Sequence, residues 1–212
     1  MFSFVILVPS YNEEKTLNKI LNKVKKYQIY VVNDCSTDNT KNLKNKFSNV
    51  RFINNKRNIG YERALFKGLK ILKNKKFDYI ITMDADGEHS ISNIKKAIVY
   101  CKKHSPDLVV GNRSRKNRYI EHIFSKMFYF RYKIFDPLSG FKIYNNKILK
   151  KLIKNHMIKK HFFIDILKIF IKEKTKISNI NIISNSKPRR KPKVGNSFIV
   201  NIKMVYCFKY LI

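Results

Sequence analysis

The 212-residue chain has no tryptophan, three cysteines, five prolines, six glycines and only 14 acidic residues. Each shortage excludes something. Cys35, Cys101 and Cys207 stand far apart, form no Cys-x-x-Cys pair and are odd in number. That argues against a disulfide framework or a zinc site and for a reducing, cytoplasmic setting. No Gly-x-Gly-x-x-Gly follows the first apolar run, so a dinucleotide-binding fingerprint is missing. No run approaches the ~18 to 20 apolar residues of a spanning helix, so any membrane contact is expected from the surface. The opening run Phe2 to Val8 has no basic leader and is cut off by Pro9, and so reads as a strand, not a signal peptide.

The shortage of acid leaves a formal charge of +32. A field of that sign favours nucleic acid, acidic lipid headgroups or phosphorylated substrates. Lysine is spread rather than clustered, however, and compositional drift explains the charge equally well. At 44% hydrophobic and 28% charged, the chain is globular in composition, and its length suits one sizeable domain. The expected organisation is a single catalytic domain over residues 1–197, with a donor-binding half to about 115 and an acceptor-side half from about 116. A short apolar and basic tail, 198–212, follows.

Short apolar runs alternate with helical patterns, the signature of a mainly parallel α/β sheet flanked by helices. Strands are expected at Phe4–Val8, Ile29–Val32, Val50–Ile53, Tyr79–Met83, Leu108–Val110 and Ile177–Ile183. Leu17, Ile20, Leu21 and Val24 fall at helical spacing, as do Leu65, Leu69 and Leu72. Thr37 or Asp38 is placed to cap a helix carrying Leu43 and Phe47. Helices are also read at Asn145–Lys154 and Phe162–Lys172, and 119–135 is an aromatic and basic stretch. In open α/β sheets ligands bind beyond the carboxyl ends of the strands. The loops after Val8, Val32 and Met83 are rich in polar, chemically capable residues.

Asp84 and Asp86, two residues apart in an extended turn, with Glu88 two further on, present hard oxygen ligands suited to Mg²⁺ or Mn²⁺. Such a cation bridges a diphosphate and stabilises the charge that develops on it. Alone, the turn reads more readily as a solvated strand terminator, and its context is what favours a metal site.

Six linked stretches resemble family-2 inverting glycosyltransferases of the GT-A fold, and within them the dolichyl- or polyprenyl-phosphate mannose or glucose synthases. They are Val8 to Glu14, Val31 to Asp38, Asn58-Ile59-Gly60, Met83 to His89, Gly111-Asn112-Arg113 and Asp136 to Phe141, in family order. The resemblance implies a nucleotide-sugar donor, GDP- or UDP-linked, bound by Pro9, Tyr11, Glu13, Val32, Asp34, Asp84, Ala85, Asp86 and Arg113. It implies a metal at Asp84, Asp86 and Glu88, and catalytic roles for Asp86 and Arg113. Asp136 is the candidate base for a hydroxyl acceptor, or simply a turn former before Pro137. A lipid phosphate, the acceptor favoured by the resemblance, needs no base.

Three departures stand out. Asn33 replaces the first of two aspartates, Glu88 stands where glutamine is frequent, and the closing lysine of a basic-Gly-Ser-Lys segment is missing. Arg190 and Lys193 are the remaining candidates for phosphate contact there. The run Phe124 to Phe135, with Lys126, Arg131 and Lys133, suits a membrane interface or ordinary core, and a separate membrane-anchoring partner is compatible with it. The expected location is peripheral, at the cytoplasmic face of a membrane. Two alternatives stay open: transfer to a sugar hydroxyl in cell-envelope polysaccharide synthesis, and a basic nucleic-acid-binding or non-catalytic module. Specific nucleic-acid recognition is not expected.

Overall fold

The structure is a computed structural model describing residues 2–87, 89–114, 116, 119–155 and 161–184. Seven strands form one sheet: β1 (Phe4–Ser10), β2 (Gln28–Asn33), β3 (Val50–Asn54), β4 (Tyr79–Thr82), β5 (Leu108–Arg113), β6 (Lys142–Asn145) and β7 (Ile177–Ile182). Their order is β3-β2-β1-β4-β6-β5-β7. β1 pairs in parallel with β2 and β4, β2 with β3, and β5 with β7, while β6 runs antiparallel between β4 and β5. The mainly parallel sheet expected from the sequence is present, with one reversed strand inside it.

β1 is buried on both faces, which is why it reads as an unbroken apolar run. Val5 and Leu7 pack with α2 (Tyr61–Leu72), α4 (Tyr119–Tyr132), α5 (Asn146–Asn155) and α6 (Phe162–Lys172). Ile6 and Val8 face α1 (Glu14–Lys23) and α3 (Ser92–His104) through Leu17, Leu21, Ile94 and Ala97. Gly68, in the middle of α2, lets that helix lie directly on the sheet. A Cβ there would stand 2.6 Å from Leu7 Cδ1 and 2.9 Å from Val32 Cγ2. Cys101 is a free thiol in the core, and burial pushes it up to about 12, so it is unreactive near neutral pH.

Four expectations need correction. Asn39–Asn45 is a 3-10 helix rather than an α-helix, although Asp38 caps it as expected, accepting from the Thr40 N–H at 3.0 Å. α3 and β6 were not foreseen, and Asn145 closes a strand instead of opening a helix. Within 119–135, a helix runs to Tyr132. The basic segment 187–193 and the tail 198–212 lie outside the described residues.

Gly68→Val is expected to destabilise the protein by about 1–3 kcal/mol through overpacking against Leu7 and Val32. Urea unfolding followed by circular dichroism measures it.

Candidate active site

The loops leaving β1 and β2 are stitched together first. Asn12 adopts a left-handed conformation (φ 52), which an Asn tolerates better than most residues. Its Oδ1 accepts the Thr37 N–H at 2.8 Å, and its own N–H donates to Ser36 Oγ at 3.0 Å. The Glu14 N–H donates to Asp38 Oδ2 at 3.1 Å. Pro9 is buried, Glu13 is partly exposed, and Tyr11 is exposed. The Val32 side chain belongs to the core.

Asp34 is 3% exposed. Its Oδ1 accepts from Asn55 Nδ2 at 2.7 Å and the Ile59 N–H at 3.0 Å, and its Oδ2 accepts from the Gly60 N–H at 2.8 Å. The carboxylate therefore ties the end of β2 to the loop that starts α2, where Gly60 takes φ 85. Asn33 uses both halves of its amide, donating to Asn54 Oδ1 at 3.0 Å and accepting the Ser36 N–H at 3.1 Å. An aspartate here would lack the donor that reaches β3.

The acidic turn follows β4. Asp84 Oδ1 accepts the Tyr61 hydroxyl, and Oδ2 lies 3.0 Å from His89 Nε2. A quarter of the Asp84 side chain, 24%, remains exposed. Burial pulls its pKa upward, but His89, then Tyr61 and Arg113, overcome it and hold the carboxyl below its ordinary range. Burial in turn opposes the charge on His89, and the hydrogen bond and charge of Asp84 prevail, so the imidazole is held above its usual value. Its Nδ1 has no hydrogen-bond partner among the described residues. Ala85 is buried and Asp86 exposed, and Gly87 at φ 79 turns the chain between them and α3. Glu88, Arg190 and Lys193 lie outside the described residues.

Arg113, at the end of β5, and Asp136 form one unit. Nε and Nη2 donate to the two carboxylate oxygens at 2.7 and 3.0 Å, and the Arg113 N–H also donates to Asp136 at 3.3 Å. Nη2 reaches Glu121 on α4 at 3.2 Å as well. This bidentate geometry is a strong form of ion pair. Burial works against the guanidinium, but Asp136 and Glu121 outweigh it and raise its pKa. Asp136 is 1% exposed.

Between the two carboxylate centres runs the loop 136–140. Gly140 sits against the acidic turn, where a Cβ would stand 2.5 Å from each oxygen of Asp84. Next along, Lys142 is fully buried. Burial pushes its pKa down to about 7, against the pull of Asp136. Tyr61, Glu121 and Lys142 are the functional residues missed from the sequence, and His89 is among the chemically capable residues of the loop after Met83, its partner not foreseen. Tyr61 and Lys142 each directly follow a stretch already singled out, Asn58 to Gly60 and Asp136 to Phe141, and His89 closes another.

Lys142 yields a pH test. Its folded pKa is depressed, so from about pH 7 upward the unfolded lysine keeps a proton that the folded one has lost. The stability of the wild type relative to Lys142→Met should then rise by about 2 kcal/mol between about pH 7 and pH 9. Parallel denaturant titrations of the two proteins measure the difference.

A model of glycosyl transferase family 2 matches residues 5–176. An uncharacterized protein of Methanocaldococcus jannaschii is 32% identical over 172 residues, covering 70% of this chain and 74% of its own length. The UDP-N-acetylglucosamine-dolichyl-phosphate N-acetylglucosaminyltransferase of Methanococcus voltae is 26% identical over 187 residues, covering 74% of each. Among solved structures, residues 1–349 of S. aureus TarS in complex with UDP-GlcNAc align with a TM-score of 0.67 at 18% identity. The alignment covers 97% of this chain and 65% of that one, and at such identity it establishes the fold alone. A matched family spanning most of the sequence, on a sheet whose strand ends gather Asp84, Asp86 and the Arg113–Asp136 pair, makes this chain a member of glycosyltransferase family 2 with the GT-A fold.

Proposed function

We propose that the chain transfers a sugar, with inversion, from a GDP- or UDP-linked donor to a polyprenyl or dolichyl phosphate at the cytoplasmic face of a membrane. The observation that carries the acceptor is the surface beside Asp136. Met127, Tyr129, Phe130 and Phe135 are exposed large hydrophobics, Phe130 to 76%. Tyr129 stacks with Phe135 at 4.9 Å, and the Lys133 ammonium lies 5.0 Å from the Tyr129 ring. Lys126 and Arg131 are exposed in the same stretch. Apolar rings rimmed by cations suit the interface of an anionic bilayer. No helix among the described residues is long and apolar enough to cross one, so docking is from the surface, with or without a separate anchoring partner. The Methanococcus voltae relative is named for UDP-N-acetylglucosamine and dolichyl phosphate, which supports the same substrate classes here.

The donor lies across the ends of β1, β2 and β4, with its base and ribose beside Pro9, Tyr11, Glu13, Val32 and Asp34. Arg190 and Lys193 are further candidates for phosphate contact. Mg²⁺ or Mn²⁺ fits the chemistry of the acidic turn. Among the described residues no three ligating side chains gather. Magnesium, however, typically takes one or two carboxylates and completes its shell with substrate phosphate and water. Asp84 and Asp86 would hold it, with Glu88 the proposed third ligand, and it would neutralise charge on the departing diphosphate. The protein's own part is placement. Tyr61 and His89 hold Asp84 ionised, and Asp136 with Glu121 hold the Arg113 fork where phosphate charge gathers. Both oxygens of Asp136 are engaged by Arg113, an arrangement suited to positioning rather than proton abstraction. A phosphate acceptor, already an anion near neutral pH, requires no base.

The direct test incubates the protein and Mn²⁺ with radiolabelled nucleotide sugars and polyprenyl phosphate. Label should move into the organic phase, and its retention in water for every donor would refute the acceptor. Asp86→Ala is expected to lower transfer at least about 100-fold and to remove metal-dependent nucleoside diphosphate binding, with the circular dichroism spectrum unchanged. Unchanged transfer by this variant would sink the metal assignment. Phe130→Glu combined with Phe135→Glu should weaken binding to anionic vesicles at least about tenfold while leaving nucleoside diphosphate binding intact, as measured by vesicle co-sedimentation and calorimetry.

A further inference from the structure

Lys142 places an ammonium with no exposed surface on the strand that runs antiparallel through the sheet. Its register partners are Thr82 on β4 and Val110 on β5. A cation there gives up its hydration and must be matched by the protein. Among the described residues no carboxylate lies within ion-pair distance of it. Nζ instead donates to the Pro137 carbonyl at 3.0 Å and to the Ser139 carbonyl, and it sits 4.4 Å from the centre of the Phe163 ring. Two carbonyls of one loop and one aromatic face thus surround the ammonium. An apolar residue would fill the same volume on this face without the cost of a buried charge. What such a residue lacks is the N–H donors, so the amine acts through the two loop carbonyls that accept from it.

We propose that Lys142 is a positioning residue for sugar transfer: it clamps the 136–140 loop so that the Arg113–Asp136 pair and Asp84 keep a fixed separation. The proposal rests on the reading of Asp84 as a diphosphate-side carboxylate. Two routes lead from the ammonium to Asp84. The first is the loop itself. Asp136 grips Arg113 at one end, and Gly140 closes against the Asp84 oxygens at the other. The Thr82 hydroxyl fastens that second end, donating to the Gly140 carbonyl at 2.8 Å and accepting the Lys142 N–H at 3.1 Å. The second route passes through Phe163, whose ring stacks on Tyr61 at 5.8 Å, and Tyr61 donates to Asp84. The charges that act on the amine are Asp136 on the loop, Arg113 on β5, Asp84 after β4 and Glu62 on α2.

Lys142→Met keeps the approximate volume and removes the donors, whereas Lys142→Arg keeps a cation with several. Three measurements on the full chain decide the matter: UDP and GDP binding by calorimetry, steady-state transfer, and hydrogen exchange by mass spectrometry. Lys142→Met should bind the nucleoside diphosphate as the wild type does, with donor KM little changed and kcat reduced about 100-fold. Its 136–141 peptide should exchange faster while peptides from β1 and β2 stay unchanged, and Lys142→Arg should recover most of kcat. Wild-type kcat in Lys142→Met overturns the proposal. So does a joint loss of binding and kcat that arginine does not restore, which marks a core filler. If Lys142→Met fails to fold, Lys142→Gln carries the same readouts. Should the wild type transfer no sugar at all, the proposed reaction fails on its own. The exchange measurement still judges the clamp, and unchanged exchange at 136–141 overturns it.

Discussion

The Asp84 carboxylate accepts one hydrogen bond from Tyr61, at the start of α2, and another from His89, five residues further along its own loop. From the opposite side Gly140 closes against it with no room for a side chain. These three contacts come from chain segments up to 79 positions apart, 140 less 61, and each depends on the sheet order. β4 delivers Asp84, and β6, paired antiparallel to β4, returns Gly140 to the same edge. Were β6 parallel, its preceding loop would emerge at the other end of the sheet. The reversed strand is thus what brings the 136–140 loop to the parallel strand ends, where ligands of such sheets bind.

Charge within this site is handled differently from charge on the surface. The chain carries 46 basic residues against 14 acidic ones, yet among the described residues the buried basic groups at the site are individually matched. Arg113 has two carboxylates, His89 has Asp84, and Lys142 has carbonyls and a ring. Burial costs an ion its hydration, and only geometric pairing recovers that cost. The site therefore consists of charges whose positions are tightly set, as the proposed placement of a diphosphate and a phosphate requires. The large surface excess, spread along exposed lysines, has no such geometry and confers long-range attraction to anions.

Strands β1 to β4 and the helices α1 and α2 between them were legible because each carried its own period. Leu17, Ile20 and Leu21 mark a helix whatever they touch, and the alternation of strands with helices implies a parallel sheet. β6 was not legible: Gly140-Phe141-Lys142-Ile143-Tyr144 contains a lysine where a buried strand calls for an apolar residue, and only the carbonyls of Pro137 and Ser139 explain it. α3 was missed because its first turn follows the acidic loop without a capping side chain, and its buried face is narrow: Asn93, Ile94, Ala97 and Cys101. In the site, Asp84, Arg113 and Asp136 stood out as charged residues in linked stretches. Their partnership did not, since nothing in the spacing of Arg113 and Asp136 shows that the fold closes them into a bidentate pair. Tyr61 sat beside a recognised stretch and His89 at the end of one, but their common target appears only when α2 and the β4 loop are brought together.

The aromatic stretch before Asp136 shows how one sequence feature divides in three dimensions. Phe124 and Phe128, four residues apart on α4, are buried against the sheet, whereas Met127, Tyr129 and Phe130 lie outward. Buried and exposed apolar residues, which the sequence alone does not separate, are therefore both present on one helix. The division ends at a sharp step: Phe135 is 43% exposed, and the next residue, Asp136, is 1% exposed. A lipid phosphate likewise joins an apolar chain to an anionic head. In the proposed reaction the chain of the acceptor rests at the membrane beside Phe130 and Phe135 while its head reaches toward the guanidinium that Asp136 holds. A free sugar hydroxyl would make no use of that step, so in the proposed reaction the adjacency of Phe135 and Asp136 joins the docking surface to the site.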